Sequence, residues 1–203
     1  MIRFIYFDLG NVLLHFDHGI ACERLGGLLG QSPAQVRQWV FESDLQWRYE
    51  RGELTCAQFH EHLCQLSGAA PTLAELSRAA SDIFTLHEPM VELVAGLRRA
   101  GWPLGILSNT CPAHWNHVYP HGYPELWESF GTWALSFELG LMKPEEQIYV
   151  QAARLAGVEP QEIFFVDDRL DNIEGARQAG YDAVPFTTVD NLKQDLQDRG
   201  IEW

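Results

Sequence analysis

A chain of 203 residues, 46% hydrophobic and 21% charged, has material for one good core with a smaller module inserted into it, and is too apolar for disorder. Its formal net charge of −14 argues against nucleic acid and anionic membrane as partners, since neither is drawn to a strongly acidic surface. No apolar stretch is long enough to span a bilayer, and Arg3 and Asp8 spoil the N-terminus as a signal sequence. Cys22, Cys56, Cys64 and Cys111 form no Cys-x-x-Cys pair and are too few for a disulfide framework, so reduced thiols and a cytoplasmic location are expected.

In chain order, Ile2, Phe4, Ile5, Tyr6 and Phe7 form a run apolar on both faces, the pattern of a strand buried inside a parallel sheet. Asp8 ends it, followed by a Gly10-Asn11 pair that permits a sharp turn. From 18 to 87 the spacing is helical throughout. Ser32-Pro33 reads as an N-cap with a first-turn proline ahead of Val36, Trp39, Val40 and Phe41. Thr55 caps a helix bearing Phe59, Leu63 and Leu66, and Thr72 with Glu75 fits a capping box ahead of Leu76, Ala80, Ile83 and Phe84. This block reads as an inserted helical cap domain, 18–87, within a core formed by 1–17 and 88–203. Its aromatic residues Trp39, Phe41, Trp47, Tyr49 and Phe59 read mainly as packing, with room for one or two to face a site.

Beyond residue 88 strand and helix alternate. A helix stops at Gly101, and a strand over 103–107 ends in Ser108-Asn109. The stretch 111–130, rich in Pro, His, Tyr and Trp, has poor periodicity and reads as an irregular connection with a short helix at 125–130. A strand over 132–137, a turn at 139–142, a helix over 144–156, a strand over 163–166 ending in Asp167-Asp168, a helix over 172–179, a strand over 183–186 and a helix over 189–198 complete the chain. Successive strand-helix-strand units imply right-handed crossovers: an α/β fold, a three-layer doubly wound parallel sheet.

Three of these parallel strands end in polar groups: Asp8, Ser108-Asn109 and Asp167-Asp168. One such end is explained by turn chemistry, but parallel strands deliver all three to one sheet edge, which Lys143 also reaches. Asp8 and Asp168, with a loop carbonyl, are hard oxygen ligands suited to Mg²⁺. A carboxylate held against a metal-bound phosphate is a nucleophile that forms an aspartyl-phosphate, while Ser108, the Asn109 amide and Lys143 are donors for phosphoryl oxygens.

FDLGNVLL, ILSN, Lys143-Pro144 and FFVDDRLDNIEGA resemble, in order and spacing, the four motifs of the haloacid dehalogenase-like hydrolase superfamily, whose members are mostly Mg²⁺-dependent phosphatases. The resemblance spans essentially the whole chain, with 18–87 in the place of the helical cap. It is nearest to the branch containing bacterial α-D-glucose-1-phosphate phosphatase and the phosphatase domain of soluble epoxide hydrolase. The resemblance implies that Asp8 is nucleophile and metal ligand, with the Gly10 carbonyl and Asp168 as the other ligands. It further implies that Ser108 and Asn109 hold phosphate, that Lys143 bridges phosphate and nucleophile, and that Asp167 orients Lys143 or a metal-bound water. The expected substrate is a small phosphate ester, in particular a sugar phosphate; Tyr119, His121, Tyr123 and Trp127 are further contact candidates, or a self-packed aromatic loop.

One position departs from the family pattern. Most of its phosphatases carry a proton-transferring aspartate two residues after the nucleophile, where this chain has Gly10. A leaving group that needs little protonation, a substitute such as His15, Asp17 or a cap residue, and lost activity all accommodate this. The competing functions are a metal-independent 2-haloacid dehalogenase, which has no need of the Asp167-Asp168 pair, and a binding or regulatory protein.

Overall fold

Strand β1 (Phe4–Phe7) is buried along its whole length and alternates between two cores: Ile5 and Phe7 join one apolar cluster, Phe4 and Tyr6 the other. A strand with two apolar faces belongs in the middle of a covered sheet, and β1 lies there. The computed structural model describes residues 1–120 and 123–203. After β1 come β2 (Leu14–Phe16), α1 (His18–Leu29), α2 (Pro33–Val40), α3 (Leu45–Glu50), α4 (Cys56–Ser67), α5 (Leu73–Ser81) and β3 (Phe84–Leu86). The chain continues through α6 (Glu88–Arg99), β4 (Leu104–Ser108), α7 (Pro112–Val118), α8 (Pro124–Trp127), β5 (Thr132–Leu135), α9 (Ser136–Leu139) and α10 (Glu146–Ala156). A 3₁₀ turn (Pro160–Glu162), β6 (Ile163–Asp167), α11 (Leu170–Gln178), β7 (Asp182–Pro185) and α12 (Val189–Asp198) complete it.

The main sheet has the order β5-β4-β1-β6-β7 with every pair parallel, so the expected doubly wound α/β core is present. Phe7 is level with Ile106 of β4 on one side and Val166 of β6 on the other. Helices α1 to α5 gather around a separate cluster that includes Leu25, Leu29, Val36, Tyr49, Phe59, Leu63 and Leu76, which also takes in Cys111; α5 packs on α7. The caps read from the sequence are in place: Ser32 accepts from Gln35 N, and Thr55 with Gln58 and Thr72 with Glu75 form capping boxes. All four cysteines are free, Cys22 and Cys111 buried and Cys56 and Cys64 half-buried. Among the described residues no helix is long and apolar enough to cross a membrane.

Four local expectations need correction. The stretch 14–16 pairs antiparallel with 84–86, so Phe84 belongs to a small two-stranded sheet instead of ending a helix, and 18–87 is not helical throughout. The pairing partner lies seventy residues away, and three-residue strands are too short to show a period. Within the block α3 was not anticipated; it is six residues long and has no side-chain cap bond to announce it. In the stretch read as irregular, α7 forms because Pro112 starts it and His114, Trp115 and Val118 share its buried face. Finally, β5 stops at Leu135, where the chain turns into the one-turn helix α9 and the Ser136 hydroxyl is engaged by the Glu50 carbonyl and the Thr110 backbone instead of by a neighbouring strand.

Candidate active site

The sheet register builds the site. Continuing one residue past Phe7, Asp8 comes level with Leu107 and Asp167 and donates its own N–H to the Val166 carbonyl at 2.8 Å. The carboxylate of Asp8 therefore emerges between the ends of β4 and β6. Lys143, on the turn between α9 and α10, reaches in from above with its side chain almost fully buried. Its ammonium donates to Asp8 Oδ1 at 2.9 Å, Asp167 Oδ2 at 2.5 Å and the Leu107 carbonyl at 2.9 Å. Burial pulls this ammonium down, but Asp167 and Asp8 outweigh it and hold it above the ordinary lysine value. For Asp8 burial dominates: against the pull of Lys143, and with Asp167 adding repulsion, the protein groups push it up to about 7.

Each strand end has a distinct task. Asn109 clasps the main chain of Lys143 twice, Nδ2 donating to the Lys143 carbonyl and Oδ1 accepting from the Lys143 N–H, both at 2.9 Å. Ser108 keeps its hydroxyl nearly free, with only a long 3.4 Å contact to the Asn109 carbonyl, and lines the cleft. Asp167 is fully buried and saturated: besides Lys143 it accepts from Asn172 Nδ2 at 3.0 Å to both oxygens and from Arg169 N at 2.8 Å. Asp168 is half-buried and faces the cleft, with Oδ2 accepting from Asn11 Nδ2 at 3.0 Å. Asn11 takes a left-handed φ of 54° at the turn after Asp8, a conformation asparagine tolerates.

These residues fit a hard divalent cation. Asp8, Asp167 and Asp168 each present a carboxylate oxygen, all within 4.8 Å of one another. The Gly10 carbonyl accepts no hydrogen bond from the described residues and is available as a further oxygen donor. Four carboxylates (Asp8, Glu50, Asp168, Asp171) line the cleft against two cations, Lys143 and Arg169, so an anion enters comfortably only with an added positive charge.

The cleft, about 500 Å³, is closed on the side away from the sheet edge by Phe16 of β2, Phe84 of β3, His18 of α1, Trp47 and Glu50 of α3, and His114 of α7. Of the insertion aromatics singled out in the sequence, Trp47 is the one that lines it. Tyr119 and Trp127 stack instead with Trp115 and Trp133, and with Tyr123 are absent from the cleft lining; His121 lies outside the described residues. His15 is exposed against the ring of His87, and Asp17 caps α1 by accepting from Gly19 N at 2.6 Å; neither lines the cleft. Sequence reasoning did not single out His18, Glu50 or His114. Their signal is weak, because only the packing of α1, α3 and α7 over the sheet edge brings them there.

The chain matches the family model for haloacid dehalogenase-like hydrolases over residues 2–180 and belongs to that family; it is a hydrolase. Among curated relatives, D-ribitol-5-phosphate phosphatase of Bacteroides thetaiotaomicron is 26% identical over 202 residues, covering 97% of each chain. A haloacid dehalogenase family enzyme from the same organism, solved with magnesium and inorganic phosphate, superposes with a TM-score of 0.84 at 23% identity, covering 95% of this chain and 99% of its own. The L-2-haloacid dehalogenase of Xanthobacter autotrophicus shares the fold at a TM-score of 0.64 and 21% identity, covering 98% of this chain and 83% of its own.

Proposed function

We propose that this protein is a Mg²⁺-dependent phosphatase that hydrolyses a small sugar or polyol phosphate through an aspartyl-phosphate on Asp8. The observation that carries this reading is the placement of Asp8 between Lys143 and the cleft-facing carboxylate of Asp168. Mg²⁺ would be held by Asp8, the Gly10 carbonyl and Asp168, and when bound would supply the positive charge that the cleft lacks. Asp8 attacks phosphorus, its nucleophilic oxygen oriented by Lys143. Lys143 and Ser108 donate to the phosphoryl oxygens as charge spreads over them. Asn109 acts chiefly by fixing Lys143, and Asp167 by orienting the ammonium. Residues 18–87 serve as a cap over the core formed by 1–17 and 88–203, in a cytoplasmic protein whose thiols stay reduced.

The cleft volume suits a small ligand, and a polar lining with one exposed indole suits a hydroxylated one. The phosphatase relatives support the same chemistry. The dehalogenase reading is weaker, because Asp168 and the free Gly10 carbonyl form an oxygen donor set that a metal-independent enzyme does not need. A screen of sugar and polyol phosphates for phosphate release, with Mg²⁺ or EDTA and with Asp8→Asn as control, tests the proposal. Release that requires both Mg²⁺ and Asp8 is expected. Turnover of 2-haloacids in EDTA would replace the reading with the dehalogenase. No release from any ester would favour a binding protein.

A further inference from the structure

The family's usual proton carrier is missing for a steric reason. A Cβ on Gly10 would lie 2.7 Å from Cε1 of Phe16, whose ring is packed near His18 and Phe84. The space that an acidic side chain would take at position 10 is filled by Phe16. We propose that Glu50, on the cleft side of α3, is the group that gives and takes back the proton in its stead. This rests on the phosphatase reading above.

The other protonic groups of the cleft lining are less suited. Asp171 is paired with Arg169 through two contacts of 3.1 and 2.7 Å, which hold its carboxyl below the usual carboxylate range. His114 is buried with its ring against Phe84, and His18 is stacked on Phe41; burial lowers both, which disfavours the protonated form. Glu50 differs. Its Oε1 accepts from Gln46 at 2.7 Å, while Oε2 has no hydrogen-bond partner among the described residues and keeps solvent-accessible surface.

The residue is also held still relative to the reacting atoms. Its carbonyl accepts from Ser136 Oγ at 2.6 Å, the next residue pairs with Glu145 (Arg51 Nη2 to Oε2, 3.0 Å), and Gly52, at φ +76°, lies so close to the Phe137 carbonyl that no side chain fits. All three anchors flank the 140–145 turn that carries Lys143. Burial raises the Glu50 carboxyl, with Gln46, Arg169 and Lys143 pulling it back; Cys111 is the remaining titratable neighbour. The protonated form is thus favoured relative to an exposed glutamate.

In the first step an Asp8 oxygen bonds to phosphorus, the ester P–O bond breaks, and the Glu50 proton passes to the leaving oxygen, releasing the alcohol. In the second, water bonds to phosphorus and gives its proton to the Glu50 carboxylate. The P–O bond to Asp8 breaks, orthophosphate departs, and both carboxyl groups return to their starting states.

An acid is needed for an alkyl leaving group and hardly at all for p-nitrophenolate. Single-turnover phosphoryl transfer is therefore measured with Mg²⁺ for p-nitrophenyl phosphate and for the best polyol or sugar phosphate of the screen. Glu50→Gln is expected to slow transfer from the alkyl ester at least about 100-fold more than from the aryl ester, the lower end of the range typical of general acids. Thermal melting checks the fold, and Glu50→Asp, which keeps the acid on a shorter arm, is expected to recover part of the selective loss. Equal effects on both esters, large or absent, would overturn the proposal while leaving the phosphatase reading intact. Failure of the wild-type enzyme on every ester would remove both.

Discussion

Replacing Lys143 by methionine keeps the length of the side chain and removes its charge from one of the most enclosed positions in the molecule. The ammonium is the shared donor for Asp8, Asp167 and the Leu107 carbonyl. Without it, two carboxylates face each other with little solvent between them. Asp167 retains Asn172 and the Arg169 N–H, whereas Asp8 loses its principal compensating charge. Removing one partner of a buried ion pair costs about 3–5 kcal/mol, and that is the expected loss at pH 7 in EDTA by urea unfolding. The sign with pH follows from Asp8. Its folded value lies above its unfolded one, so the folded state binds the extra proton between about pH 4 and 7, and stability from this group falls as pH rises through that window. The penalty of Lys143→Met should therefore shrink toward pH 5, and adding Asp167→Asn should recover part of it. A loss below about 1 kcal/mol, or a double variant no better than the single one, would refute the view that this cation holds the site together.

Three further outcomes are expected. His114 is held neutral by burial at about 4, so the unfolded state binds more protons between pH 6.5 and 4 and stability is lost as pH falls through that range, by about 3 kcal/mol in full. His114→Gln should flatten the acid limb of a stability-pH curve, and an unchanged limb would count against it. Gly10→Ala should destabilise by about 1–3 kcal/mol through its clash with the Phe16 ring, with relief from Phe16→Leu; a variant melting with the wild type would contradict the packing argument. Arg51→Ala, which removes a half-exposed pair with Glu145, should change folding stability by less than about 1 kcal/mol. Its KM should rise several-fold; an unchanged KM would show that the pair has no part in holding α3 over the cleft.

What could be read directly from the residues was whatever local pattern and sheet topology dictate together. Ile5 and Phe7 alternate with Phe4 and Tyr6, and the polar ends at Asp8, Ser108 and Asp167 converge because parallel strands share an edge. The clasp of Asn109 on Lys143 was not legible at that level: its amide bonds the main chain of a partner 34 residues away that only the fold supplies. The same holds for Phe16. In sequence it is one apolar residue before a helix, yet its ring determines what position 10 can carry. Glu50 carries no local signal, because nothing in the sequence distinguishes it from the neighbouring Glu53.

Residues 18–87 are fastened to the rest of the chain differently at two places. Beside Asp8, β2 and β3 are joined backbone to backbone, and His87 N donates to the Leu13 carbonyl at 3.1 Å. Beside Lys143 the fastening is an ion pair and a serine hydroxyl. Salt screens the second place and leaves the first alone. Raised ionic strength therefore weakens the Arg51–Glu145 attachment while the paired strands beside Asp8 keep theirs.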